Sequence, residues 1–470
     1  MRVAFLSSPF GTPRHRCQHP CEQLQGQGIE AAVLEGEAPS LSGYSHAVLN
    51  RVPLSVALAE SIAAAERSGT RVLFDVDDLI FDPAVVAGME FVEARPAPDR
   101  RSLLEAVEGI ARTIERCRAG LCATPALRRE LASRGQGARV ALNGVSDEMV
   151  RLSEQAFSQR SGDARVVRIG FAGGHPGHAF NLPVAEDALA TLLHRHAQLE
   201  LVLIGPIEPP PRLRPWADRV EQVPFVDWRR LPFELARLDV CIAPLADNAF
   251  NRCKSDVKFL EAALVRVAVV ASPVGQLGES IRHGVNGLLA EGTEAWTEAL
   301  SSLVEQPRLR AELAEAAREQ VLRERTSGAL GPALVEALRA AAGEEPSRRS
   351  AWLEGPHGSA APGWLALSDD ELLYQVEALT PGHDQDRMLV DVVRSDRHFF
   401  IRQEAAKKVG DADLLKAWSG DRHIGQVLVR VMKRAEDVAY LERLRDETRH
   451  LEVRKAAEAQ LDIIRASRDT

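Results

Sequence analysis

Short apolar runs alternate with helix-length amphipathic stretches through the first two-thirds of the chain. Residues 3–6 and 31–34 read as buried strands around a helix over 21–27 that Gly28 ends. The same beat continues through strands at 47–49, 71–74, 120–124 and 139–142, with helices over Val56–Arg67 and 101–117 between them. Strands that alternate with helices at this spacing predict parallel βαβ units. Residues 1–160 are therefore expected to form one Rossmann-like lobe. A polar connector near 158–163 precedes a second series of strands at Val167–Ala172, Leu199–Ile204, Val220–Val223, Val240–Ala243 and 267–271. Amphipathic helices over 296–303 and 308–338 are expected to close this second Rossmann-like lobe, residues 161–340.

Beyond it the pattern changes. Residues 341–364 are rich in Gly, Pro, Ser and charge, as an inter-domain linker is. Residues 365–470 are helical by periodicity throughout. Within them Arg397-His398, Arg422-His423 and Arg449-His450 open similar segments at nearly constant spacing, the middle copy being the poorest match. Such a period means stacked helical units that bury a core only against their neighbours. It resembles short HEAT-like repeats, although an ordinary helical bundle with an Arg-His echo would read similarly. The expected fold class is α/β, two Rossmann-like lobes followed by an all-α helical-repeat domain.

Composition narrows the function classes. The 470 residues carry a formal net charge of −9, with 45% hydrophobic and 27% charged residues, so no basic excess marks a nucleic-acid partner. No apolar run is long enough for a transmembrane segment, and the apolar start is too short for a signal-peptide core. The six cysteines then read as free thiols, and the cytoplasm is the expected compartment.

The richest segment for chemistry is 238–272, where a strand opens into a polar loop, the loop into a helix, and the helix returns to a strand. Ligands of open parallel sheets bind beyond such carboxyl ends. Lys254 and Ser255 near a helix start, with Lys258 one turn on, can gather two ammoniums, a hydroxyl and backbone N–H groups around a phosphate. Glu261 offers a bidentate acceptor for two vicinal hydroxyls. At the first strand of the second lobe, Gly173 and Gly174 let backbone amides approach a pyrophosphate, with His175 and His178 close behind.

These residues resemble those of the large GT-B family of retaining glycosyltransferases that use nucleotide-diphospho-sugars. The family's paired donor glutamates fall here on Cys253 and Glu261, so the first carboxylate is missing. A subgroup with Asn-x-x-Lys-Ser-x-x-Lys-x-Leu-Glu-Ala is similar throughout, matched by Asn251, Lys254, Ser255, Lys258 and Glu261. Arg266 and Ala268 stand where a Gly and a Pro are more usual. The resemblance implies Lys258, Lys254 and His178 at the reaction centre. It places Gly173, Gly174, His175, Asn251, Ser255, Glu261, Val274 and Gly275 on the donor, the last two through backbone amides.

In the first lobe, Arg16 and His19 after the Gly11 turn, and the Asp75-Val76-Asp77-Asp78 cluster, are similar to the same subgroup and fall on the acceptor side as Arg16, His19, Asp77 and Asp78. Three carboxylates in four residues invite a metal, but helix N-capping by Asp77 or Asp78 is the plainer reading. No metal and no cofactor is expected beyond the donor itself. By resemblance, a sugar moves from a nucleotide-diphospho-sugar to an acceptor with retention, the donor phosphate taking the acceptor's proton. Residues 365–470 would recruit a protein or glycan acceptor. A nucleotide-sugar epimerase and a scaffold with a degenerate transferase core stay open as alternatives.

Overall fold

Among the described residues twelve strands form two separate six-stranded sheets, both wholly parallel. The computed structural model describes residues 1–9, 11–160, 165–343, 367, 369–379, 386–395 and 397–466. In the first lobe the strands are β1 (Arg2–Ser7), β2 (Glu30–Leu34), β3 (His46–Asn50), β4 (Arg71–Val76), β5 (Ala119–Cys122) and β6 (Gly137–Val140), in the order β2-β1-β3-β4-β5-β6. The second lobe holds β7 (Val167–Ala172), β8 (Leu199–Ile204), β9 (Val220–Val223), β10 (Val240–Ala243), β11 (Ala268–Ala271) and β12 (Leu288–Leu289), in the order β12-β11-β10-β7-β8-β9. Central strands are buried on both faces, as all-parallel sheets require: every residue of β3, β10 and β11 is buried. In both sheets the order reverses beside the lobe's first strand, which opens a crevice at the carboxyl ends.

Two expectations shift. The sixth strand lies two residues earlier than 139–142, because Gly137 pairs with Ala119 in the register of β5 and β6. The stretch 308–338 breaks at Arg325 into the helices Pro307–Glu324 and Ser327–Ala341, the second capped by Thr326. That second helix does not close the second lobe. Its Leu334, Ala337 and Leu338 pack with Val3, Phe5, Cys17 and Leu24 in the first lobe's core. Gly331 permits the approach, since a Cβ there would stand 2.9 Å from the Gln23 carbonyl.

Residues Met1–Glu345 make one compact unit and Pro346–Thr470 another. Most of the expected linker lies outside the described residues. In the second unit the helices Asp369–Ala378, Asp386–Arg394, Phe399–Lys408, Arg422–Val431, Val438–Glu447 and Leu451–Ala466 share one core that includes Leu372, Val392, Ile401, Leu428, Val453 and Leu461. Arg397-His398 and Arg449-His450 stand just before their helices, whereas Arg422-His423 lie inside theirs because Asp421 caps it one residue earlier. Among the described residues no helix is long and apolar enough to cross a membrane.

Candidate functional site

After β10 the chain makes a polar turn, and Asn248 caps the short helix Ala249–Arg252 by accepting from the Asn251 amide. A second turn leads into the helix Val257–Leu264. This stepped entry brings Lys254, Ser255, Lys258 and Glu261 to one wall of a cavity of about 390 Å³ at the carboxyl ends of both sheets. Gly173, Gly174 and His178 line it from the exit of β7, and Thr12, Arg14, His15, Asp77, Asp78 and Asn143 line it from the first lobe.

Three of the four polar groups on that wall meet a partner from the opposite lobe. Lys254 Nζ lies 3.7 Å from Asp78 Oδ1, Ser255 Oγ accepts from Asn143 Nδ2 at 3.0 Å, and Glu261 Oε1 accepts from Arg14 Nη2 at 2.7 Å. Lys258 is the exception: its Nζ donates to the Ala172 carbonyl of β7 and stands 5.2 Å from the centre of the Phe171 ring. Burial lowers the Lys258 pKa, and the nearby Glu261 carboxylate works against that shift. For Asp78, burial acts to raise the pKa, but Lys254 and Arg51 outweigh it and hold the carboxyl below its ordinary range.

The exit of β7 is held open by glycine. A Cβ on Gly173 would stand 2.9 Å from both His178 Cβ and Ile207 Cδ1, and Gly205, at φ +108°, lets β8 pass against the Gly173 carbonyl. His178 is neutral: burial first, then the charges of Lys258 and Lys254, push its pKa well below the ordinary value. Its Nδ1 has no hydrogen-bond partner. His175 is turned away from the cavity, where it caps the turn Pro176–Asn181 by accepting from Gly177 and packs edge-on to Phe91 at 5.6 Å.

Asn251, Val274 and Gly275 also sit outside the cavity lining. Asn251 is buried and donates to Asn181 Oδ1 (2.8 Å) and the Ala246 carbonyl (2.9 Å), which fixes the turn. The Val274 amide already donates to Ser272. Gly275 takes φ +62°, where a Cβ would stand 2.7 Å from the Asn251 carbonyl. Cys253, at the family's first-glutamate position, packs among Phe74, Val76, Phe81 and Leu127 of the first lobe, and burial pushes its thiol up to about 12.

On the first-lobe side the residues expected to face an acceptor divide. Asp77 and Asp78 line the cavity, but Arg16 and His19 are buried beneath it. Arg16 grips Asp75 with two hydrogen bonds of 3.0 and 2.5 Å and also donates to the Ala141 carbonyl and Asn143 Oδ1. His19 Nδ1 donates to the Gly144 carbonyl at 3.0 Å, and burial takes its pKa down to about 4. Neither Asp77 nor Asp78 caps a helix. The helix that follows is Pro83–Ala87, and Asp82 caps it by accepting from Ala84 and Val85. Asp77 and Asp78 instead share Arg51, whose φ of +49° is unusual for a residue with a side chain. Asp77 further accepts from Thr12 Oγ1 at 2.6 Å. Among the described residues no group of three His, Cys, Asp or Glu side chains is placed to hold a metal ion.

The sequence reading missed Arg14 and His15 and the apolar wall of Phe225, Val226, Trp228 and Leu231. Phe225 is 67% exposed. An aromatic left in solvent directly after a strand end is the signal that could have found it. Arg14 has only donors, so His15 Nε2, 2.5 Å from Arg14 Nη2, must accept, and the ring proton sits on Nδ1. The Gly173 amide already donates to the Ile204 carbonyl at 2.9 Å, so the cavity offers cations and the Gly174 amide to an anion, a carboxylate to a diol, and an apolar wall to a flat ring.

Residues 167–306 match the family described as glycosyl transferases group 1. A stretch of 62 residues is 48% identical to the D-inositol 3-phosphate glycosyltransferase of Rhodococcus jostii (strain RHA1), covering 13% of this chain and 14% of that protein. The chain therefore aligns with only a small part of that curated relative's length. Among solved structures, a sucrose-phosphate synthase from Thermosynechococcus elongatus is similar with a TM-score of 0.51 and 14% identity, over 73% of this chain and 100% of that one. At that identity the likeness is one of fold.

Proposed function

We propose, from the glycosyl transferases group 1 match over residues 167–306, that the chain transfers a sugar from a nucleotide-diphospho-sugar to an acceptor with retention of configuration and without a metal. The observation that carries this reading is that Lys254, Ser255, Lys258 and Glu261 face one cavity beside the Gly173-Gly174 strand exit. In this reading the diphosphate lies between the two lysines and the Gly174 amide. The ribose diol meets Glu261, and the base lies along Phe225, Val226 and Trp228. Neutral His178 is available to a sugar hydroxyl as donor or acceptor.

The acceptor enters from the side of Thr12, Asp77 and Asp78. Its hydroxyl oxygen bonds to the anomeric carbon as the bond to the diphosphate breaks, the proton passes to a leaving phosphate oxygen, and nucleoside diphosphate departs. Charge grows on that leaving group, so preorganised ammoniums act most strongly in the transition state. Arg16 and His19 support this loop from below. Residues 365–470 recruit a protein or glycan acceptor in the same reading.

The test is a thermal-shift panel of ADP, GDP, CDP, UDP and their glucose and N-acetylglucosamine esters. Ligand at about 100 times its Kd stabilises by about 2.7 kcal/mol. A shift with one base, followed by donor turnover that survives EDTA and gives a product of unchanged anomeric configuration, supports the reading. No shift with any member overturns it.

A further inference from the structure

We propose that Arg14 is a donor-binding residue supplied by the opposite lobe, paired with Glu261 and passed to the donor diphosphate when the ribose takes Glu261. The inference rests on the reading above. Arg14 follows β1 in the first lobe, yet its Nη2 donates to Glu261 Oε1 across the cavity at 2.7 Å. Both side chains are mostly buried, at 18% and 12% exposed, so the pair lies where a ligand would exclude water. Its other neighbours do not neutralise it: His15 Nε2 is an uncharged acceptor at 3.1 Å from Arg14 Nε, and the Trp228 ring centre lies 5.4 Å from the guanidinium. Glu261 is thus the carboxylate that keeps this cation in place.

A vicinal diol occupies both oxygens of a carboxylate, so ribose and guanidinium compete for Glu261. Displaced, Arg14 stays in a cavity whose remaining anionic ligand is the diphosphate, and a guanidinium matches phosphate oxygens bidentately. Lys254 follows the same logic, since Asp78 stands beside it where a phosphate would come. The result is an ordered site: ribose binding frees the charge that the diphosphate needs. It also ties the two lobes together through the bound donor.

The test is a binding cycle on the full chain by calorimetry. Its probes are the nucleoside diphosphate from the panel that binds wild type, its 2′,3′-dideoxy analogue and its nucleoside, each against wild type, Arg14→Ala and Arg14→Gln. The expected result is diphosphate binding weakened by about tenfold or more in both variants, as for a lost charge-assisted hydrogen bond. Nucleoside binding should be unchanged or tighter, because its competitor for Glu261 is gone. The loss should shrink with the dideoxy analogue, which leaves Arg14 on Glu261. Equal weakening of nucleoside and diphosphate would overturn the proposal and leave Arg14 as a mere support for Glu261, and unchanged diphosphate binding would overturn it outright. If wild type binds no nucleotide at all, the transferase reading falls with it, so the two failures are distinct. Arg14→Gln keeps the fold if Arg14→Ala loses it.

Discussion

Replacing Arg16 with Met should cost stability rather than specificity. The guanidinium is 3% exposed and its partner Asp75 1% exposed. It makes four hydrogen bonds, two to the carboxylate, one to the Ala141 carbonyl and one to Asn143. Burial already raises the Asp75 pKa against the pull of Arg16. Removing the cation leaves a buried carboxylate to which, among the described residues, the Asn50 side chain still donates at 2.9 Å, and takes a donor from the Ala141 carbonyl. Breaking one partner of such a pair costs about 3–5 kcal/mol. Unfolding entropy of about 2.1 cal/mol/K per residue gives about 0.7 kcal/mol/K for the unit Met1–Glu345, so Tm should fall by about 4–7 °C. Scanning calorimetry measures the shift, and the double variant R16M/D75N, which removes both charges, should lie closer to wild type than R16M alone. An R16M protein with wild-type Tm and lost transfer would refute the argument and return Arg16 to the acceptor.

Three further outcomes follow from the same geometry. Glu261→Ala should weaken donor binding by about 1.5–3 kcal/mol, one charge-assisted hydrogen bond, as read by titration with the donor; unchanged affinity rejects the ribose assignment. Lys258→Met keeps the apolar stem in the wall and should lower kcat by about a hundredfold or more with little change in donor KM, as expected for a group that acts on leaving-group charge. A chain ended after Gly343 should bind nucleotide and hydrolyse donor slowly yet lose transfer to the natural acceptor; transfer at the full rate would remove any recruiting role for the second unit.

Local pattern carried most of the fold because the central strands of these sheets are apolar runs bounded by turn residues. Val167–Ala172, Leu199–Ile204, Val220–Val223 and Val240–Ala243 fall where the alternation put them. What pattern could not carry was the assignment of a helix to a lobe. Ser327–Ala341 has the amphipathic periodicity of its neighbour Pro307–Glu324, and only its packing against Val3 and Phe5 shows which core it serves. Periodicity says that a face is buried and is silent about what buries it.

The site divides along the same line. Lys254, Ser255, Lys258 and Glu261 lie within one turn and helix, so spacing alone puts them on a common wall. Arg14 and Glu261 are 247 residues apart, and a pairing of that kind has no local signature. Nearness in sequence also misled: Arg16 and His19 are close to Arg14, but one turn of the wide π-helix Arg14–Gln18 is enough to send them beneath the sheet ends while Arg14 and His15 reach the cavity. The Asp cluster shows the converse. Asp75, at the end of β4, points into the core to meet Arg16, whereas Asp77, the next on the same face, meets Arg51 and Thr12 at the cavity edge. Alternation along a strand would give the two carboxylates one environment, and the end of β4 at Val76 is what separates them.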